Sequence, residues 1–271
     1  MIDIGVNLTN SQFKNDVAQV LEQSFAAGIE AMVLTGTDLE SSIECQSLCE
    51  RYAEQYANRI FCTAGVHPHD ADNWNPNTAT QIRDLLASAH TVAGGETGLD
   101  FNRNYSAKKN QIAAFEGQIE LAADASQPLF LHERDAFDTQ IDILRNYRDQ
   151  YDRAVIHCFT GTKKALYAYL DLDLYIGITG WVCDERRGVD LANIVSDIPL
   201  DRLMVETDAP FLLPRNIQPK PPSQKGKSRR NEPRYLNWVI RKLAECYGLS
   251  EKQISSKTTR NARSFFALAE M

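Results

Sequence analysis

A single closed barrel of eight parallel strands, each followed by a helix, is the fold this sequence predicts. Three observations carry that expectation. Short apolar runs bounded by turn residues, the signature of strands buried on both faces, recur eight times along the chain. Amphipathic stretches with helical spacing separate them, the alternation that a parallel sheet with crossover helices requires. The length, 271 residues, is that of one such barrel, about 250 residues as a single domain. Residues 1–271 are therefore read as one domain.

The elements follow in order. Ile2 to Leu8 alternates and is strand one; Ser11 to Ala27 is a helix with Val17, Val20, Leu21 and Phe25 on one face. Ala31 to Thr35 is strand two, and Leu39 to Tyr56 the next helix. Ile60 to Val66 is strand three and runs into His67-Pro68-His69. A helix near Thr78 to Ala89 leads to strand four, Thr91 onward, which carries Glu96 at its end and breaks into a Gly-containing turn. Ala107 to Asp124 is helical and leads to strand five, Pro128 to Leu131, ending in His132. Asp135 to Gln150 leads to strand six, Ala154 to Ile156, ending in His157. Lys163 to Leu170 leads to strand seven, Leu174 to Ile178; Arg187 to Val195 leads to strand eight, Leu203 to Thr207, ending in Asp208. Helices over Pro233–Tyr247 and Glu251–Ala269 finish the chain.

Composition narrows the classes. An apolar fraction of 43% and a charged fraction of 24% are those of an ordinary globular protein. No apolar run approaches the roughly 20 residues a membrane span needs, and the first residues lack a basic-then-apolar signal. A cytoplasmic protein without membrane contact is expected, and nothing requires more than a monomer. The net charge of −7 argues against unspecific coating of nucleic acid but leaves room for a local basic site. Six cysteines are scattered without a CxxC pair. Cys45 and Cys49 read as small core residues, and Cys158 should point away from its neighbour His157.

The strand ends hold the chemistry. Glu96, His132, His157 and Asp208 each close an apolar run, on four separate strands. In the predicted barrel all strand C-termini meet at one face, where such barrels place their active sites. An unpaired carboxylate buried there is costly, so it calls for a cation. Carboxylate oxygen with imidazole nitrogen suits a divalent metal: zinc, manganese or magnesium. Asn7 and His67 end two further strands at the same mouth.

The chain also resembles the TatD family of metal-dependent nucleases, within the amidohydrolase superfamily. The likeness rests on GVHPHD (65–70), GETGLDF (95–101), LHER (131–134), HCFTGT (157–162), GITGWVCDERRG (177–188), VETDAPFLLPR (205–215) and RNEP (230–233), and it spans essentially the whole chain. It implies a metal centre at Glu96, His132, His157 and Asp208. It further implies exonuclease action on single-stranded DNA or RNA from the three-prime end, with a role in DNA repair or degradation. Most members open with an Asp-x-His-x-His strand whose two histidines bind one of two metals. Here Gly5 and Asn7 stand in their place. A second metal would have to depend on Glu96, Asp208, Asn7 and water. Such a site, with few fixed imidazoles and open water positions, suits magnesium.

In the expected reaction a divalent ion neutralises a phosphodiester oxygen and acidifies a water. Asp208 acts as general base, ligand or both, and Glu206, one layer deeper, orients the ligands. His67 and His69 are expected to touch substrate phosphate. The segment from Lys220 to Arg230 carries five basic residues beside the same mouth and could track a nucleic-acid backbone, above all through Arg229 and Arg230, with Arg215, Arg186 and Arg187 nearby. Trp181, Phe101 and Phe211 are candidates for stacking a terminal base, Trp181 first. Two alternatives stay open: a small-molecule ester or amide hydrolase of the same superfamily, and a binding protein without catalysis.

Overall fold

The computed structural model describes residues 1–221 and 229–269. In chain order the elements are β1 (Ile2–Val6), α1 (Val17–Ala26), β2 (Ala31–Leu34), α2 (Leu39–Tyr52), β3 (Ile60–Ala64), α3 (Pro76–Leu86), β4 (Thr91–Asp100), α4 (Lys108–Asp124), β5 (Leu129–Arg134), α5 (Phe137–Asn146), β6 (Ala154–Ile156), α6 (Lys163–Asp171), β7 (Tyr175–Ile178), α7 (Val189–Ile194), β8 (Leu203–Val205), α8 (Leu236–Tyr247) and α9 (Glu251–Phe265). The strands pair in that order, all parallel. Past the end of β8 the chain returns to β1. Ala209 bridges Val6, Asp208 N–H donates to the Gly5 carbonyl at 2.9 Å, and Asn7 N–H donates to the Ala209 carbonyl at 2.8 Å. The barrel thus closes at its C-terminal mouth, with bonds made by site residues.

At the mouth of the barrel, chemistry is stacked on packing. Phe130, Val155 and Met204 come from three strands and share one buried apolar cluster. Two residues further along these segments stand His132, within β5, and His157 and Glu206, just past the ends of β6 and β8. The Phe130 ring lies 4.8 Å from that of His157. Each such fully buried side chain contributes about 1.5–3 kcal/mol, so the polar layer stands on a firm floor.

Among the elements that depart from the expected bounds, three stand out. α1 begins at Val17 rather than Ser11, because Asn10 diverts the chain into turns by accepting from Gln12 N–H at 3.0 Å. β4 does not end at Glu96: after an irregularity between Gly94 and Thr97 it re-pairs with β5 as far as Asp100. Gly98, expected to start a turn, is instead held within the strand at φ +137°. β8 stops at Val205, so Glu206 to Asp208 lie beyond its ladder, with Asp208 at φ +53°.

Just past the end of β3 the chain meets β4 glycine to glycine. A Cβ on Gly65 would sit 2.5 Å from the Gly95 backbone, next to Glu96. Gly65→Ala is therefore expected to lower stability by ~1–3 kcal/mol, measured as a lower urea midpoint. An unchanged midpoint would show that the two backbones separate freely.

Candidate metal centre

Glu96 is the centre of the strand-end cluster. Its Oε1 lies 2.8 Å from His132 Nδ1, 2.9 Å from His157 Nε2 and 3.4 Å from His67 Nε2. The carboxylate and His157 are buried, and His132 and His67 are half-buried. Glu96, His132 and His157, picked out on the sequence, therefore share one point. His67 joins them. Its donor atom and those of Glu96 and His132 all lie within 4.8 Å of one another. It was expected at substrate phosphate; the loop after β3 turns it inward instead, with its ring 4.3 Å from that of His132.

The electrostatics follow from burying one carboxylate among imidazoles. Burial works against the charge of Glu96, but the facing histidines outweigh it and hold the carboxyl well below its usual range. Burial likewise pulls His157 down, yet Glu96 and Glu206 keep it well above the ordinary imidazole value. His67 follows burial and is pushed down to about 3, which leaves its nitrogen a lone-pair donor.

The donor set fits a divalent cation. Two imidazoles satisfy the same carboxylate oxygen only by presenting N–H to it; around a cation the same nitrogens present lone pairs. The far side of each ring supports that arrangement. His157 Nδ1 faces Glu206 Oε2 at 3.2 Å, and His132 Nε2, buried without a hydrogen-bond partner, has Asp100 Oδ2 at 3.6 Å. The Glu206 carboxylate behind His157 favours the tautomer that frees its inward nitrogen, as in metal-ligating histidines, and Asp100 sets a second negative charge behind His132.

Asp100 went unnoticed on the sequence. It is buried, accepts from Asn102 N–H and Arg103 N–H, and bonds His69 Nε2 at 2.6 Å. Its position four residues after Glu96 in GETGLDF was the available signal, since even spacing along a strand means a shared face. Glu206 is fully buried, with its second oxygen accepting from Cys158 N–H at 2.5 Å. Cys158 adopts φ +47°, off the strand geometry, and burial pushes its thiol up.

Asp208 stands beside the cluster, strapped by the β1 segment and by the segment that carries Asn231. Its Oδ1 accepts from Asn7 Nδ2 at 2.9 Å. Asp3, buried at the start of β1, accepts from Thr207 N–H at 2.9 Å and from the Thr207 hydroxyl at 2.6 Å. Asn231 donates to the Thr207 carbonyl at 2.9 Å. Burial, with Glu206 and Glu96 nearby, pushes Asp208 up to about 7 although His157 works the other way. Asn7, expected to help hold a second ion, is committed to Asp208 and to the Ala209 carbonyl.

The expected cationic and aromatic contacts divide. Arg230 bonds both Asp16 oxygens at 2.9 and 2.7 Å, reaches Glu232 and lies over the Phe13 ring. It ties the segment before α8 to the start of α1, a structural tether rather than a phosphate contact. Arg215 is held bidentately by Glu185, Arg187 pairs with Asp184 and covers Trp181, and Lys108 covers Phe101. Arg229 is exposed, its Nε donating to the Pro221 carbonyl. Lys225 and Lys227 lie outside the described residues.

Asn231→Leu removes a buried donor from the Thr207 carbonyl. It is expected to cost ~1–3 kcal/mol and to lower kcat more than it alters KM, because it loosens Asp208 without touching the Glu96 cluster. Steady-state kinetics beside a denaturation curve check this; lost stability with unchanged kcat would count against the strap.

Against known proteins, residues 2–267 match the family model described as TatD related DNase. A relative from Edwardsiella piscicida named 3'-5' ssDNA/RNA exonuclease TatD is 49% identical over 99% of this chain and 100% of its own length. One of the same name from Enterobacter lignolyticus is 48% identical over the same shares. Among solved structures, a TatD-family hydrolase from Entamoeba histolytica superposes with a TM-score of 0.89 at 24% identity, over 99% of this chain and 98% of that one. A TatD homologue from Escherichia coli gives 0.86 at 23%, over the same shares. These two structures bear on the fold, an eight-stranded α/β barrel. The full-length sequence matches bear on descent, and by them this chain belongs to the TatD related DNase family.

Proposed function

We propose that this chain is a divalent-metal-dependent exonuclease that removes nucleotides from the three-prime end of single-stranded DNA or RNA. The observation that carries the reading is the meeting of His132, His157 and His67 nitrogens at one oxygen of Glu96. The printed names of the full-length relatives support the substrate and the direction.

Glu96, His132, His157 and His67 would hold the ion. When bound, it supplies positive charge to a phosphodiester oxygen and acidifies a water. Every other part of the chemistry falls to side chains. Asp208 takes the proton of the attacking water: Asn7 fixes Oδ1, the Thr207 strap fixes the backbone, and the second oxygen is left for the proton. Glu206 keeps His157 in the ligating tautomer, and Asp100 adds negative charge behind His132. His69, with a side chain 34% exposed and anchored on Asp100, stands where a phosphate oxygen of the substrate would arrive.

Magnesium is the ion carried over from the sequence, through water positions left open at the mouth, although His67 adds a third imidazole to the set. Manganese and zinc, which imidazole suits better, are the alternatives a reconstitution series separates. The enzyme is read as a cytoplasmic monomer; six free cysteines support a reducing compartment.

The test is end-labelled single-stranded DNA with magnesium, with EDTA, and with a panel of carboxyl esters as control. Three-prime trimming is expected in magnesium, none in EDTA and no turnover of the esters. Glu96→Gln is expected to be folded and inactive, and Asp208→Asn to be slowed by ~10²–10⁴-fold. Normal turnover by folded Glu96→Gln would refute the reading.

A further inference from the structure

We propose that the cleft between the segments leaving β7 and β8 is the track of the nucleic-acid strand upstream of the bond being cut, with Phe211 as the platform for a base and Lys220 and Arg229 as its phosphate contacts. The proposal rests on the exonuclease reading and names where the rest of the substrate lies.

The cleft has a volume of about 580 Å³, and its walls include Trp181, Pro210, Phe211, Pro214, Lys220 and Arg229. The chain itself ties it to the proposed base. Phe211 is three residues past Asp208, and its N–H donates to the Asp208 carbonyl at 2.9 Å, so the ring is indexed to the proposed base by one turn. The two walls are pressed backbone to backbone. A Cβ on Gly180 would stand 2.1 Å from the Leu212 carbonyl oxygen, and Leu212 itself holds φ +50°. The cleft is a built feature of the mouth.

Its chemistry selects a single strand. Phe211 is 48% exposed, an unusual expense of apolar surface in a cleft wall, and among the described residues no ring or cation lies on it. Trp181, the first expected stacker, is already covered by the Arg187 guanidinium at 4.5 Å. The cations divide in the same way. Arg187 and Arg215 are spent on Asp184 and Glu185. Lys220 and Arg229 are exposed and, among the described residues, meet no carboxylate. One bare aromatic face beside two uncompensated cations, in a protein of net charge −7, matches a flexible polyanion with exposed bases. A folded acidic protein would not need the ring, and a carboxyl ester would need neither cation.

Two measurements separate this from the exonuclease reading. Fluorescein-labelled hexathymidylate is titrated by anisotropy in EDTA, where nothing is cut. Phe211→Ala is expected to weaken binding ~5- to 150-fold while Phe211→Tyr retains it. Lys220→Ala and Arg229→Ala are each expected to flatten the log–log salt slope by about 0.7. In magnesium, Phe211→Ala should raise KM for the hexamer by a larger factor than KM for a dinucleotide, and by a larger factor than it lowers kcat. Wild-type affinity and salt slope in all three alanine variants, or a wild type that does not bind the hexamer, would overturn the cleft assignment. Failure of the wild type to shorten the hexamer in magnesium would instead overturn the exonuclease reading, with the binding data still reporting on the cleft.

Discussion

One oxygen of Glu96 organises the molecule. A carboxylate buried at the mouth of a barrel is tolerable only among compensating groups, and His132, His157 and His67 meet it from three other segments. Two of the partners have a carboxylate behind them, Glu206 for His157 and Asp100 for His132, and backbone N–H groups hold Asp100 in turn. What looks like a site resting on a scaffold is also a large part of how the mouth is held together. The closing bonds of the barrel, from Asp208 to Gly5 and from Asn7 to Ala209, belong to the same ring of residues.

Glu206 shows how this chain differs from the histidine-opened pattern. A Cβ on Gly5 would stand 2.2 Å from Glu206 Oε2, and one on Gly177 would stand 2.6 Å from Oε1. The Glu206 carboxylate fills space that side chains at these two positions would need. Gly5 is thus not merely a missing ligand. Its lack of a side chain is what lets a fully buried carboxylate reach the back of His157.

Much of this was legible in the sequence, for definite reasons. Strands covered on both faces must be apolar throughout, so the eight runs stood out, and a lone polar residue closing such a run, like His157 after Ala154–Ile156, is costly unless used. Glu206 was expected one layer below the ligands from strand alternation; it lies just past the end of β8, with its carboxylate against His157 Nδ1. What stayed hidden depended on contacts distant along the chain. Arg230 read as a phosphate contact because its partner Asp16 lies 214 residues earlier. His67 read as a substrate contact because its partners, Glu96 and His132, come from other strands. Asp100 was hidden by a turn wrongly expected at Gly98, which would have taken it off the strand face.

The most direct measurement is anomalous X-ray scattering at the manganese edge from crystals grown with manganese. The expected result is a peak ~2.0–2.2 Å from Glu96 Oε1, His132 Nδ1 and His157 Nε2, absent in Glu96→Gln crystals grown alike. A well-occupied ion elsewhere at the mouth, or none within reach of Glu96, would contradict the claim that this carboxylate and its imidazoles are built around a cation.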